Sequence, residues 1–121
     1  MTFKLLLTGA LVLLPMCAGA KPFSSCTKAS HYGHGDIYNG RLTASGERFN
    51  TYDKKTAAHR WLPFGTKVLV QHRSTGKSVY VTINDRGPFI AGRGLDLSYK
   101  AFSQIAPPSN GVIPVCYTVV Q

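Results

Sequence analysis

Two runs of mostly β-branched and apolar residues dominate the middle of the chain: Thr66-Lys67-Val68-Leu69-Val70-Gln71-His72 and Ser78-Val79-Tyr80-Val81-Thr82-Ile83-Asn84. The five-residue connection between them, Arg73-Ser74-Thr75-Gly76-Lys77, contains glycine. This is the pattern of a β-hairpin. Val112–Val120 reads as a further strand, with Pro114 marking a bulge or an edge position, and Ala29–Tyr32 as a first strand. Helix is scarce by composition, because the 121 residues include one Glu, Glu47. One short helix is expected over Tyr99–Ile105, with Ser98 as its N-cap and Pro107–Gly111 as its stop and turn. Residues 33–56 are polar and glycine-rich and read as a long loop, with one helical turn near Asp53–Ala57. Trp61, beside Leu62-Pro63, is assigned to the core. The sum is a mainly β domain, a small barrel or sandwich.

The N-terminus reads as processing rather than fold. Lys4, the apolar run Leu5–Leu14, Pro15 and the ending Ala18-Gly19-Ala20 describe a secretory signal peptide over residues 1–20. The run is shorter than the roughly 20 residues that span a bilayer, so no transmembrane segment is expected in the mature chain. Cys17 offers a lipidation site, but Leu14-Pro15-Met16 matches poorly the small residues such processing prefers, and no lipid anchor is expected. The mature protein is therefore read as exported, to the periplasm, the cell envelope or the medium. Without Lys4 it carries 13 Lys and Arg against 5 Asp and Glu, a net +8. Two cysteines remain, Cys26 and Cys116, near the two ends of the domain. In an oxidising compartment their single intramolecular pairing ties the first strand to the last.

Carboxylates are few, so each is a candidate for chemistry: Asp36, Glu47, Asp53, Asp85 and Asp96. Asp96 lies between Leu95 and Leu97, just ahead of the helix. Partial burial there would raise its pKa as a general acid requires, and the alternative is a helix-capping or loop-fixing carboxylate. Asp85 either serves the site or makes an Asx-type turn before Gly87-Pro88, and Glu47 either serves the site or is a solvated loop charge. Among the histidines, His59 is the candidate for a site role, or a core histidine satisfied by a backbone carbonyl. His31, His34 and Asp36 resemble no known metal motif, and neither a metal nor a cofactor is expected. No serine elbow, phosphate loop or His-Glu-x-x-His is present. The basic charge alone would fit nucleic acid, but the export signal and the lack of a recognition motif set that aside.

Six segments occur in order: Ala29-Ser30-His31-Tyr32-Gly33, Asn39 to Glu47, Thr56-Ala57-Ala58-His59, Leu62 to Thr66, Ile83 to Phe89, and Leu95-Asp96-Leu97-Ser98. Together they resemble the rare lipoprotein A (RlpA-like) family of lytic transglycosylases, over nearly the whole mature chain. The resemblance implies a six-stranded double-psi β-barrel with one or two short helices, related to expansins and to one class of endoglucanases. It implies endolytic cleavage of peptidoglycan glycan strands, giving 1,6-anhydromuramic acid ends; the protein is expected to be a monomer. Carried over residue by residue, the family's functional positions fall on Glu47, His59 and Asp85, and the acid of the expansin relatives falls on Asp96. Tyr32, Ser45, Asn84 and Arg86 lie in the same motifs and are expected to bind substrate.

Cleaving a glycosidic bond requires a proton for the leaving oxygen. A lytic transglycosylase then uses the muramic acid's own 6-hydroxyl in place of water, so one carboxyl group can act first as acid and then as base. Glu47 or Asp85 is expected in that role. His59 would orient the carboxyl and bond the sugar, and Asp96 would stabilise positive charge or hold Arg86. Arg86 and Arg93 are placed to pair with a lactyl carboxylate, and Tyr32, Tyr38, Phe49, Trp61 and Phe89 to line a sugar groove. Fuller family members often carry a C-terminal peptidoglycan-binding domain, whereas this sequence ends at Gln121. The alternative function is a non-catalytic, expansin-like module that binds or loosens wall polysaccharide.

Overall fold

A computed structural model describes residues 24–121. The signal peptide read at residues 1–20, with Cys17, lies outside the described residues. Six strands close into a barrel: β1 (Ser24–Tyr32), β2 (Thr56–Ala58), β3 (Lys67–His72), β4 (Ser78–Asp85), β5 (Arg93–Ser98) and β6 (Ile113–Val119). Around the barrel the order is β1-β5-β2-β4-β3-β6, and β6 pairs back onto β1. The β1·β5 and β2·β4 pairs are parallel and the other four antiparallel. This is the closed, mixed, six-stranded arrangement of a double-psi β-barrel.

The expected hairpin is β3–β4. Its inward positions alternate with outward ones, as a closed sheet requires. Val68 and Val70 of β3 and Val79, Val81 and Ile83 of β4 are buried. Leu95 and Leu97 of β5, Ile113, Val115 and Tyr117 of β6, and Ala29 and Ala57 complete the core. The helix α1 (Tyr99–Ile105) buries Ala101, Phe102 and Ile105. Ser98 caps it as expected, its Oγ accepting from Ala101 N at 3.2 Å. A single 3₁₀ turn, Pro108–Asn110, follows.

Five local expectations differ in the structure. Residues 56–58 form strand β2, where the sequence predicts a helical turn near Asp53–Ala57. The segment is inserted between β4 and β5, and its backbone groups are used on both sides. Asp96 lies inside strand β5, so it is not the cap of α1. Pro114 is not on an edge, because β6 is paired by β1 and β3. Trp61 is 59% exposed rather than in the core, while Phe49, expected in a groove, is buried.

The long loop between β1 and β2 is ordered by its own polar groups. Thr51 is fully buried. Its Oγ1 donates to Tyr32 O and accepts from Tyr99 N, both at 2.7 Å. Gly33, at φ 94°, lies so close to Thr51 and Phe49 that a Cβ there would come within 2.6 Å of both. Further along, Gly40 N donates to Phe49 O and Thr43 N to Glu47 O, folding residues 40–49 back on themselves.

Cys26 and Cys116 face each other in the β1·β6 register and form a disulfide across 90 residues of sequence. A cross-link closing that long a loop contributes about 4–5 kcal/mol in the chain-entropy treatment. Replacing both cysteines by serine is therefore expected to lower the melting temperature by roughly 15 °C or more in calorimetry. An unchanged transition would show that the barrel's closure does not depend on the bond.

Candidate functional site

The parallel and antiparallel pairings meet at β2, and this brings the acids together. Ala58 is the register partner of Asp85 on one side and of Asp96 on the other, and Asp96 pairs in turn with Ser30. At ordinary strand spacing the Cα atoms of Asp85 and Asp96 are roughly 10 Å apart across a residue whose side chain is one methyl group.

Asp85 ends β4 with its carboxylate fully engaged. Oδ2 accepts from Tyr32 Oη at 2.9 Å. Oδ1 accepts from Ala44 N and from Arg86 N, each at 2.9 Å. These contacts tie the tip of the 40–49 loop, the end of β4 and the end of β1 to one side chain. Tyr32 is fixed in turn by stacking on Phe49, centroids 4.1 Å apart. Its phenol is pushed well above its ordinary pKa, first by burial, then by the charge and hydrogen bond of Asp85, then by the charges of Asp96 and Asp36. Tyr32 is thus a permanent hydrogen-bond donor with three acids around it.

Glu47 sits on the exposed rim, and its Oε1 accepts from Asn84 Nδ2 at 2.9 Å. Ser45 N donates to Asn84 O at 3.2 Å, and Ser45 Oγ lies 2.8 Å from Thr43 Oγ1. Asn84 itself is buried, and its Oδ1 has no hydrogen-bond partner among the described residues. Ser45, Glu47 and Asn84, with Phe64, Gly65 and Thr82, line a cleft of 290 Å³.

Asp96 is half-buried, with Ser30 Oγ donating to its Oδ1 at 3.0 Å. Burial pushes its pKa up to about 6, against the pull of the Ser30 hydrogen bond and of the Arg93 and His31 charges. A carboxyl group tuned this way carries a usable proton near neutrality.

The His59 ring makes no hydrogen bond to any of the three carboxylates. Its Nδ1 accepts from the backbone N–H of Trp61 and of Leu62, each at 3.1 Å. That nitrogen therefore has no hydrogen, and Nε2–H donates to Tyr117 Oη at 2.8 Å. Burial, then Arg86 and Arg60, hold its pKa below the ordinary value. The ring builds the turn after β2; orienting the acid, the role expected of it, is not what these contacts serve. Its backbone N–H does donate to Asp85 O at 3.1 Å, so it positions the strand end. Arg86 is held by the carbonyls of His59 and Leu62, at 3.2 and 2.8 Å, and by the Phe64 ring, 3.9 Å from its guanidinium carbon. These contacts, not Asp96, hold Arg86.

The family described as lytic transglycolase, a double-psi β-barrel (DPBB) domain, matches residues 24–117. The chain belongs to the lytic transglycolase family. It is 55% identical over 87 residues to a protein of Nostoc sp. named "Probable endolytic peptidoglycan transglycosylase RlpA". That alignment covers 72% of this chain and 23% of the Nostoc protein, so the chain spans about a quarter of that relative's length. Among solved structures, the Streptomyces papain inhibitor superposes with TM-score 0.68 at 21% identity, covering 82% of this chain and 96% of its own. The apo expansin of Clavibacter michiganensis superposes with TM-score 0.64 at 24% identity, covering 82% and 51%. These two likenesses concern the fold.

Within this lytic transglycolase domain, sequence reasoning missed two residues that shape the site. Ser30, the donor to Asp96, stands in the first motif, where its register partner was invisible. Arg60 fixes the segment before and into β5 by donating to the carbonyls of Pro88 at 2.9 Å and Arg93 at 2.9 Å. Among the described residues no group of three His, Cys, Asp or Glu is placed to hold a metal. His31 packs edge-on against Phe102, and His34 packs on Tyr99.

The perturbed Asp96 has a measurable consequence. Its folded pKa lies above the roughly 3.9 of an unfolded aspartate, so the folded state retains a proton the unfolded chain releases. The associated stability is full below pH 4, declines as pH rises to about 6, and stays lost above it. Asp96→Asn keeps an acceptor for Ser30 without the charge. It is expected to stabilise the domain by on the order of 2–3 kcal/mol at pH 7.5 and by almost nothing below pH 3.5, read by denaturant titration at the two pH values.

Proposed function

We propose that this domain cleaves peptidoglycan glycan strands as a lytic transglycosylase, with Asp96 holding the proton and Asp85 as its charged counterpart. The observation that carries this reading is the contrast between the two carboxyl groups flanking Ala58. One is half-buried with a raised pKa; the other accepts three hydrogen bonds. A carboxyl group with a raised pKa suits the acid role, and a carboxylate fixed by three hydrogen bonds suits an electrostatic one.

In the first step Asp96 gives its proton to the bridging oxygen as the bond from C1 of the muramoyl residue to that oxygen breaks. Positive charge develops at C1 and the ring oxygen, and the carboxylate of Asp85 stabilises it. In the second step the Asp96 carboxylate takes the proton of the same sugar's 6-hydroxyl while O6 bonds to C1. The 1,6-anhydro ring closes, no water is consumed, and Asp96 is again protonated. Tyr32 keeps Asp85 oriented. Glu47 and Asn84 offer an acceptor pair at the rim for sugar hydroxyl and amide hydrogens. The identity of the relatives supports peptidoglycan as the substrate, and such a substrate places the protein outside the cytoplasm.

Incubating the protein with purified sacculi and analysing released muropeptides by mass spectrometry tests the reading. The expected products carry 1,6-anhydro ends. Asp96→Asn and Asp85→Asn should each lower their release by about 100-fold or more, the usual range for a lost acid–base group. Glu47→Gln should act mainly by weakening substrate binding. Reducing ends would indicate a hydrolase. No soluble product would support the binding-module alternative, and full activity of Asp96→Asn would remove that residue from the proton transfer.

A further inference from the structure

Outward-facing residues of β4 extend the site along the barrel wall. Tyr80, Thr82 and Asn84 occupy successive outward positions, spanning roughly 13 Å from Tyr80 to Asn84. A second cleft, of 430 Å³, lies along this row and is lined by Glu47, Lys54, Lys55, Lys67, Tyr80 and Thr82, with Thr56. It shares Glu47 and Thr82 with the cleft at Asn84, so the two adjoin as one trough. Thr82 is flanked in register by Lys67 on β3 and by Thr56 on β2.

The trough has three features of a site for an anionic sugar. Tyr80 is 62% exposed, an aromatic face available for stacking on a pyranose ring. Lys54, Lys55 and Lys67 line it, with Glu47 as the acid among its lining residues. Thr56 is 7% exposed and lines the trough, yet its Oγ1 has no hydrogen-bond partner among the described residues. A buried hydroxyl without a partner is costly, and a bound polar group would relieve it.

We propose that this lysine-walled trough is a substrate subsite. It takes a muramoyl residue on the strand being cut, with Tyr80 under the ring and the three lysines around carboxylates on its lactyl arm. This rests on the peptidoglycan reading above. The carboxylate has two sources: the free lactyl group of a strand stripped of peptides, or the stem peptide of an intact strand. Both are anionic where a plain N-acetylglucosamine oligomer is neutral, so charge on the arm, rather than the sugar backbone, is what the trough selects.

The test is binding, measured by calorimetry in the Asp96→Asn background so that the strand is not consumed. Three ligands are compared: peptide-bearing glycan strands, stripped strands, and chitohexaose. The triple variant Lys54→Gln, Lys55→Gln, Lys67→Gln should bind the anionic strands roughly tenfold or more weakly, consistent with several exposed charge contacts. It should bind chitohexaose as before, and it should lose most of the salt dependence of strand binding. Tyr80→Ala should weaken all three ligands. Whichever anionic strand loses more affinity in the triple variant identifies the source of the carboxylate. Equal binding of both anionic strands by the triple variant and its parent would overturn the proposal. Since the readout is affinity, charge-selective binding without anhydro products would leave the subsite standing while removing the transglycosylase reading.

Discussion

The Asp85 carboxylate is the contact on which the rest of the site depends. A side chain at the end of one strand accepts from a tyrosine on another strand, from a loop amide and from the amide that follows it. Hydrogen bonds to a charged acceptor are the stronger kind, and here two of the three connect segments more than 40 residues apart in sequence. Because Ala44 is held, the 40–49 loop closes over the end of β4, and Glu47 reaches Asn84. Because Tyr32 is held, its phenol stays protonated among three acids.

The barrel supplies what the carboxylates cannot do for themselves. A three-residue strand, Thr56–Ala58, pairs in parallel with β4 and antiparallel with β5, so residues far apart in sequence become neighbours across one alanine. The disulfide and the β1·β6 pairing close the ring opposite this point. The core valines and leucines give the wall its rigidity, and preorganised donors and charges need such a wall to act on a developing positive charge.

Legibility followed the physics of each element. The β3–β4 hairpin and the Ser98 cap with its helix rest on local signals, the Cys26–Cys116 pairing on the mature chain's having two cysteines, and the structure has all three. β2 and β5 were not read as strands because their pairing partners are distant and their local signals are poor: β2 is three residues long and β5 begins Arg93-Gly94. That is why Asp96 looked like a loop or cap residue. The convergence of Glu47 on Asn84 and of Tyr32 on Asp85 lies within segments carrying the family resemblance. The ring of His59 was legible as a residue of interest but not as a turn-builder, since two backbone amides that fix its tautomer come from its own following residues. Trp61 was drawn to the core by its neighbours Leu62 and Pro63, of which only Leu62 is buried.

The proposed chemistry requires one carboxyl group that keeps its proton up to about pH 6, near another that is held as a hydrogen-bond acceptor. A carbon-detected NMR titration of the five Asp and Glu side chains reads this directly. The account predicts one carboxyl carbon titrating near pH 6, absent from the spectrum of Asp96→Asn. All five titrating below pH 5 would contradict it.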